Sequence, residues 1–423
     1  MMKTQLILIA SMVLGITSVS IAQDTLKLNL RQAEQLFLSK NYQLIAQQYQ
    51  TEQAKADVVT ARLFDNPQLS YENLFYNHET NRFLETSAAT GQYSAALSQL
   101  VKLAGKRNKN IQLANTGVKL AEYAYYDLMR TLRYNLRSTF YKAYYAQQSA
   151  LVYHDQIESL DQLLKASEAQ FKFGNVALKD VIRIRSEYYK LKAEYIALLN
   201  EIEDLKSTLK LLTNISSSTN LLLIIQPADD LEYSLQRQSF VQLLDSARLN
   251  RADLQLAKTE AIYAQNNLSI QKANAIPDIE ISLSYDLKGN YPEKYTGLGI
   301  KIPVPLFNRN QGEIKKARIL IEQGNVNLKQ QEAVLENELY NSYKTALQTE
   351  SLYLSIETGF NKNFEQLITE VTKNFKNRNI SLIEFLDFYD SYKESILQLN
   401  LLKYERMNAK EEINYVTGST IFK

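Results

Sequence analysis

The chain has 423 residues with 48 Lys or Arg against 46 Asp or Glu, a formal charge of +2, and no cysteine. The two signs of charge are interspersed, so no clustered basic face points to nucleic acid. Without cysteine there is no disulfide framework, no thiol nucleophile and no lipid anchor through an N-terminal Cys. Beyond the N-terminus no run of about 18 apolar residues marks a membrane-crossing helix.

The N-terminus reads as a secretory signal over residues 1–22. Lys3 supplies the positive region, Leu6 to Ile16 the apolar core, and Ser20-Ile21-Ala22 a small-x-small cleavage site, so the mature chain is expected to start at Gln23. The prolines stand only at 67, 227, 277, 292, 303 and 305. An interior proline costs a helix about 3 kcal/mol, so the proline-free stretches leave room for very long helices. Ala104 to Phe173 is one, roughly 100 Å long at 1.5 Å per residue, and such helices must lie along one another in a bundle.

The chain is internally duplicated. FKFGNVALKDVIRIRSEYYKLK at 171–192 aligns with FKNRNISLIEFLDFYDSYKESI at 375–396, and the segment Asn41–Pro67 echoes Arg251–Pro277. A period of roughly 200 residues is too long for a solenoid. The expected organisation is a first repeat at 23–226, with a β-hairpin at 67–103 and a helical-hairpin tip near 174. A second repeat at 227–423 has a β-hairpin at 277–306 and a tip near 378. After the first tip, Val181, Ile184, Tyr188, Leu191, Tyr195, Leu198, Ile202, Leu205, Leu209 and Leu212 recur at steps of three and four. That is a 3.5-residue seam, the signature of left-handed helix-on-helix packing. Leu382, Phe385, Tyr389, Tyr392, Ile396 and Leu399 begin a similar seam in the second half.

The strands alternate. From Asp278 to Leu287, Ile279, Ile281, Leu283, Tyr285 and Leu287 share one face, and Leu298 to Leu306 alternate after a turn at 288–294. Pro67–Tyr76 and Tyr93–Leu103 form a looser counterpart. Strands of about ten residues at a tilt near 45° cross a bilayer core, and Tyr71, Phe75, Tyr76, Tyr93, Tyr285, Tyr291 and Tyr295 lie where interfacial aromatic girdles sit. A soluble sheet with one face buried against the helices would show the same period. If the strands do span a membrane, four cannot close a barrel, and several chains must contribute; three copies give about twelve strands.

Signal peptide, duplicated halves, strand pairs between long helices and the FGNVALKDV tip together resemble the TolC family over essentially the whole mature chain. Leu103-Ala104-Gly105-Lys106-Arg107 resembles the strand-to-helix return of its heavy-metal efflux branch (the CzcC/CusC type), and Pro305-Leu306-Phe307-Asn308-Arg309-Asn310 is the second-half equivalent. The resemblance implies a mainly α chain with a small membrane β part: a trimeric 12-stranded transmembrane β-barrel continued by a long periplasmic α-helical barrel. It implies an outer-membrane exit duct of a tripartite efflux pump in a Gram-negative bacterium, passively conducting cargo such as metal cations. Its partners would be a periplasmic adaptor (membrane fusion protein) and an inner-membrane RND-type transporter. The exit duct of a type I secretion system is the alternative within the class, and a periplasmic coiled-coil adaptor or scaffold the alternative outside it.

By the same resemblance, Glu384 and Asp387 match an acidic pair ringing the periplasmic entrance; three residues apart, they share one helix face. Asp180 and Arg183 are their first-half counterparts and candidates for a weak polar latch. Gly174, Asn175, Val176, Asn379 and Ile380 are the expected adaptor contacts. The second tip has Arg378 where the family usually has Gly, so Asn377 or Asn379 is expected to take the left-handed conformation of the turn. His78 and His154 are the only histidines, no His, Cys or Met cluster suggests a metal site, and no cofactor is expected. No phosphate loop or nucleophile elbow suggests an enzyme.

Overall fold

The structure is a computed structural model that describes residues 25–225, 238–289, 293–356 and 360–422. The expected signal peptide, the junction of the two repeats at 226–227, and Tyr291 and Pro292 lie outside these residues. The first elements are strand β1 (Thr25–Leu28) and helices α1 (Leu30–Lys40) and α2 (Tyr42–Arg62). Strands β2 (Gln68–Asn73), β3 (Tyr76–Asn77), β4 (Arg82–Phe83) and β5 (Tyr93–Val101) follow. Then come helices α3 (Lys106–Lys172) and α4 (Leu178–Thr213), and strand β6 (Asn220–Leu223). Helices α5 (Phe240–Asn250) and α6 (Ala252–Asn274) lead into strands β7 (Ile279–Asp286) and β8 (Tyr295–Lys301). Helices α7 (Gln311–Ser355), α8 (Phe360–Lys376) and α9 (Leu382–Thr417) close the chain.

The local signals recur at matching places. Helices α1 and α5 each have 11 residues and each opens on a capping box, Asn29 with Gln32 and Ser239 with Gln242. In such a box each partner accepts the other's backbone N–H, satisfying two donors that a helix start leaves orphaned. Helices α4 and α9 each have 36 residues. Both end on a fully buried threonine, Thr213 and Thr417, whose hydroxyls donate to the carbonyls of Leu209 and Ile413 at 2.6 and 2.7 Å. Each threonine is followed by a left-handed residue, Asn214 at φ 53° and Gly418 at φ 66°. At Gly418 a side chain would not fit, because a Cβ would meet the Arg251 Cα at 2.9 Å. Helix α3 runs 67 residues without a break, as the missing prolines allow.

The chain divides into two compact units, and each draws on both halves of the sequence. One gathers residues 25–41, 135–225 and 352–408. It contains a parallel pair, β1 with β6, in the register Thr25↔Asn220 to Leu28↔Leu223. Its core joins Tyr153, Leu160 and Leu164 of α3 with Val181, Ile184 and Leu191 of α4, Val371 of α8, and Phe385 and Tyr389 of α9. The expected seam on α4 is thus the buried one.

The other unit gathers residues 42–134, 238–351 and 409–422. It holds an antiparallel four-stranded sheet in the order β2-β5-β7-β8 and a core of Leu243, Ala247, Leu335, Leu339, Ala346, Ala409, Ile413, Val416 and Phe422. The strands have 6, 9, 8 and 7 residues, shorter than the ten expected. Strand β8 stops at Lys301 rather than running to Leu306, because Pro303 and Pro305 carry no N–H to extend the ladder. Among the described residues no helix is long and apolar enough to cross a membrane.

Candidate functional site

Two places in the fold concentrate features that packing alone does not require: the faces of the four-stranded sheet and the two helical-hairpin tips. On the sheet, register places Leu69, Leu97, Leu283 and Leu298 in one row across all four strands. Their exposures are 77%, 50%, 55% and 75%, so nothing among the described residues covers the row. Ile281 and Ile300 are paired on the same face, and Val101 with Ile279 beyond them. At the other end of that face lie Tyr71, Tyr93 and Tyr285, with successive ring centroids 6.2 and 6.1 Å apart. The opposite face reads Ser70, Ala96, Ser284 and Gly297 in one row and Gln68, Ser98, Ser282 and Gly299 in the next. Water disfavours the first face and accepts the second. A sheet packed against its own helices would have the reverse exposure.

The sheet is open. Among the described residues, strands β2 and β8 each pair on one side only, which leaves two edges of unpaired backbone groups. Strands alternate in direction along the order β2-β5-β7-β8, so the two edge strands β2 and β8 run in opposite directions.

The tips are built alike. At the first, the Gly174 N–H donates to the Phe171 carbonyl and the Asn175 N–H to the Gln170 carbonyl, at 2.9 and 3.0 Å. At the second, the Arg378 N–H donates to Phe375 O and the Asn379 N–H to Asn374 O, both at 2.9 Å. This pattern is the Schellman motif, which needs one left-handed residue. Gly174 takes that role at φ 76°, and Arg378 itself takes it at φ 61°. The expectation that Asn377 or Asn379 would adopt it is wrong. The two bonds fix the turn residue by position in the motif, and position outweighs the steric preference for Gly or Asn. The two asparagines serve instead as side-chain braces: Asn175 Nδ2 donates to Gln170 Oε1 at 2.8 Å and Asn379 Nδ2 to Asn374 Oδ1 at 3.2 Å. Val176 and Ile380 turn inward against the core of the helix ends.

Glu384 has a local partner that the sequence reading missed. Its carboxylate accepts the Ser381 N–H at 2.8 Å, and the Ser381 hydroxyl accepts the Glu384 N–H at 3.3 Å. Ser381-x-x-Glu384 is a capping box and was legible as one. The backbone hydrogen bond from Ser381, then the one involving its side chain, hold the Glu384 carboxyl below its ordinary range. Asp387 is exposed one turn further along α9. In the first copy Ala177 stands where Ser381 does and has no side chain to cap with, while Asp180 occupies the first turn of α4 half-buried and Arg183 is exposed. Among the described residues no ion pair joins Asp180, Arg183, Glu384 and Asp387 to one another. Near the first tip, Arg185 pairs with Glu168 at 2.7 Å.

A polar layer further from the tips also escaped the sequence reading. Lys393, with its side chain 5% exposed, reaches Glu194 at 3.1 Å and Asp390 at 3.2 Å, and the Tyr153 hydroxyl donates to Glu194 at 3.3 Å. Burial works to lower the Lys393 pKa, but hydrogen bonding and attraction from the two carboxylates raise it above the ordinary lysine value. Tyr389 donates to the Gln156 carbonyl at 3.1 Å, and burial pushes its phenol up to about 12. These groups tie α3, α4 and α9 together. The signal was Lys393 itself, four residues after Tyr389 on the seam side of an amphipathic helix.

No protein-family model matches the chain. A curated relative is the cobalt-zinc-cadmium resistance protein CzcC of Cupriavidus metallidurans, 20% identical over 290 residues. Those residues are 69% of this chain and 66% of CzcC, just under two thirds of that relative's length. Among solved structures, the CmeC outer-membrane channel of Campylobacter jejuni matches with TM-score 0.73 and 16% identity, covering 92% of this chain and 85% of CmeC. CusC matches with TM-score 0.74 and 18% identity over 95% of this chain and 96% of CusC. The outer-membrane protein VceC of Vibrio cholerae matches with TM-score 0.70 and 15% identity, covering 92% and 96%. The fold is that of these outer-membrane channels. The resemblance to the TolC family holds at that level, and CzcC and CusC of its heavy-metal branch are both among the relatives.

Proposed function

We propose that this chain is one subunit of a homotrimeric outer-membrane exit duct, built from two copies of an ancestral half and serving a tripartite efflux pump. The row of four exposed leucines, Leu69, Leu97, Leu283 and Leu298, carries the reading. An apolar sheet face open to water is unfavourable by roughly 25 cal/mol per Å², and hydrocarbon removes that cost. Hydrocarbon also forbids open edges, since each unsatisfied backbone group there costs several kcal/mol. Edges of opposite direction let copies pair β8 to β2 until the sheet closes. Three copies of a four-stranded sheet give twelve strands, within the range of outer-membrane barrels. The Ser, Gly and Ala rows would then line a polar lumen, and the tyrosines would mark one lipid–water boundary.

In this reading the long helices continue the barrel into the periplasm and the tips at 174 and 378 meet a periplasmic adaptor, itself bound to an inner-membrane transporter of the RND type. The duct needs no energy source of its own. The likeness to CzcC, a cobalt-zinc-cadmium resistance protein, supports metal cations as the cargo. Threefold symmetry would make Glu384 and Asp387 rings of three carboxylates at the entrance, favouring cations over anions. Half-buried Asp180 and exposed Arg183 would each face a neighbouring helix, and a bridge formed there at the surface is worth less than about 1 kcal/mol, weak enough to open readily.

The mass of the membrane-extracted protein, measured by light scattering in detergent and corrected for bound detergent, tests this. A trimer that comes off the membrane only with detergent is expected. A monomer or dimer released by salt or osmotic shock would mean the leucine row never meets lipid, leaving a periplasmic scaffold in place of a duct.

A further inference from the structure

The extreme ends of the two tips carry charge of one sign. Residues 171–179 contain Lys172 and Lys179, and residues 371–383 contain Lys373, Lys376 and Arg378, with no carboxylate in either stretch. Lys172, Lys179, Lys373 and Arg378 are exposed, and among the described residues none has an ion-pair partner. Part of this has a local cause. Lys172, in the last turn of α3, complements the negative end of that helix dipole. Two of the charges have no such cause.

Lys179 is the second residue of α4, where the positive end of the helix dipole repels a cation. Arg378 holds the left-handed position at φ 61°, where its counterpart is Gly174. Local structure disfavours Lys179 electrostatically and Arg378 sterically. The two positions are not equivalent in the duplicated halves, since Lys179 aligns with Ile383 and Arg378 with Gly174. A non-glycine residue held against backbone preference points to a function outside the turn itself. Between the charges lie exposed apolar groups, Phe173 at 77% and Leu178 at 53%. An apolar centre with a charged rim is the anatomy of a protein interface.

We infer that the two tips form one cationic docking surface whose protein partner presents carboxylates around an apolar contact, with Lys179 and Arg378 setting the choice of partner. This rests on the reading of the tips as the adaptor-facing end. Like charges on a wrong partner would be repelled, so the surface selects as well as binds.

The test uses the full-length chain in growing cells, with a photo-cross-linking residue at Asn377 or Asn175 and peptide mapping of what is captured. The expected product is a peptide of a periplasmic protein bearing at least two carboxylates within one helical turn of the linked position. The double variant Lys179→Glu/Arg378→Glu should lower its yield by about tenfold or more. Arg378→Gly keeps the turn, relieves its left-handed strain and removes one charge without reversing it, and should lower the yield by a smaller factor. Capture of a neutral or basic segment, capture of lipid, or a yield unchanged in the double Glu variant overturns the inference while leaving the duct intact. A trimer that conducts yet captures nothing at either tip overturns both the inference and the adaptor-facing reading beneath it.

Discussion

Replacing Leu283 by Arg separates a lipid-facing sheet from a water-facing one. Leu283 sits at the middle of β7 in the leucine row and is 55% exposed. If that face met water, the change would add a charge at a surface site and stability would move within about 0.5 kcal/mol. If it meets hydrocarbon, an arginine near the bilayer midplane costs about 2–4 kcal/mol. Threefold symmetry places it three times, so a trimer would lose on the order of 6–12 kcal/mol. That is comparable with the whole stability of a typical domain, roughly 5–15 kcal/mol. The control is Ser98→Arg, one row away on the opposite face, paired with Gln68 and Ser282. Outer-membrane yield and the fraction of trimer surviving unheated on a gel are the readouts. Leu283→Arg should abolish the trimer band, whereas Ser98→Arg should keep it and change single-channel conductance. Equal tolerance of both variants, or equal damage from both, would refute the assignment of faces.

Arg378→Gly should stabilise the second tip, since relief of a left-handed non-glycine residue is worth about 1–2 kcal/mol. The added freedom of glycine in the unfolded chain returns about 0.4–1 kcal/mol, so a net gain near 1 kcal/mol is expected in hydrogen-exchange protection at 374–384. For the entrance, Glu384→Gln with Asp387→Asn removes both carboxylates while glutamine preserves the capping box. Bilayer recordings should show reduced cation preference, and unchanged selectivity would remove these residues from the gate. Glu412, raised above the ordinary 4.5 by burial and then by Glu338, gives a pH dependence of known sign. A carboxyl with a raised folded pKa loses stability as pH climbs from 4.5 through the folded value. Glu412→Gln should therefore raise the melting temperature at neutral pH and flatten the profile in that window. A variant that melts lower at pH 7 than the parent would contradict the burial argument.

The features legible in the sequence were those encoded by period. Alternation grouped Ile279, Ile281, Leu283 and Tyr285 on one face of β7, although Leu287, past the strand's end, is buried and not part of that exposed face. The seam from Val181 to Leu209 gave the buried side of α4. The features that escaped were short or non-local. The parallel pair Thr25–Leu28 with Asn220–Leu223 has only four residues a side, too few for a period, and its partners lie 195 positions apart. The two compact units could not be read at all, because each is assembled from separated stretches of both halves. The three capping boxes, at Asn29, Ser239 and Ser381, are local four-residue signals that carry no period.

The duplicated halves show where constraint lies. Their backbones agree at the buried threonines, at the left-handed residues after α4 and α9, and at both Schellman turns, while the side chains at those same turns differ. Gly174 and Arg378 hold matching positions, and the hydrogen bonds that close the turn are the same at both. Ala177 and Ser381 likewise start equivalent helices, one with a side-chain cap and one without. A cap is worth about 0.5–2 kcal/mol, so the second tip is held by its capping box while strained at Arg378, and the first has neither. Two tips with one backbone and opposite local stresses will not respond alike to the same pull. If the tips are the end that a partner grips, the weaker start of α4 should open first. Hydrogen exchange at residues 178–181 should then exceed that at 382–385, and the reverse order would mean that packing beneath the tips, not capping, sets their stability.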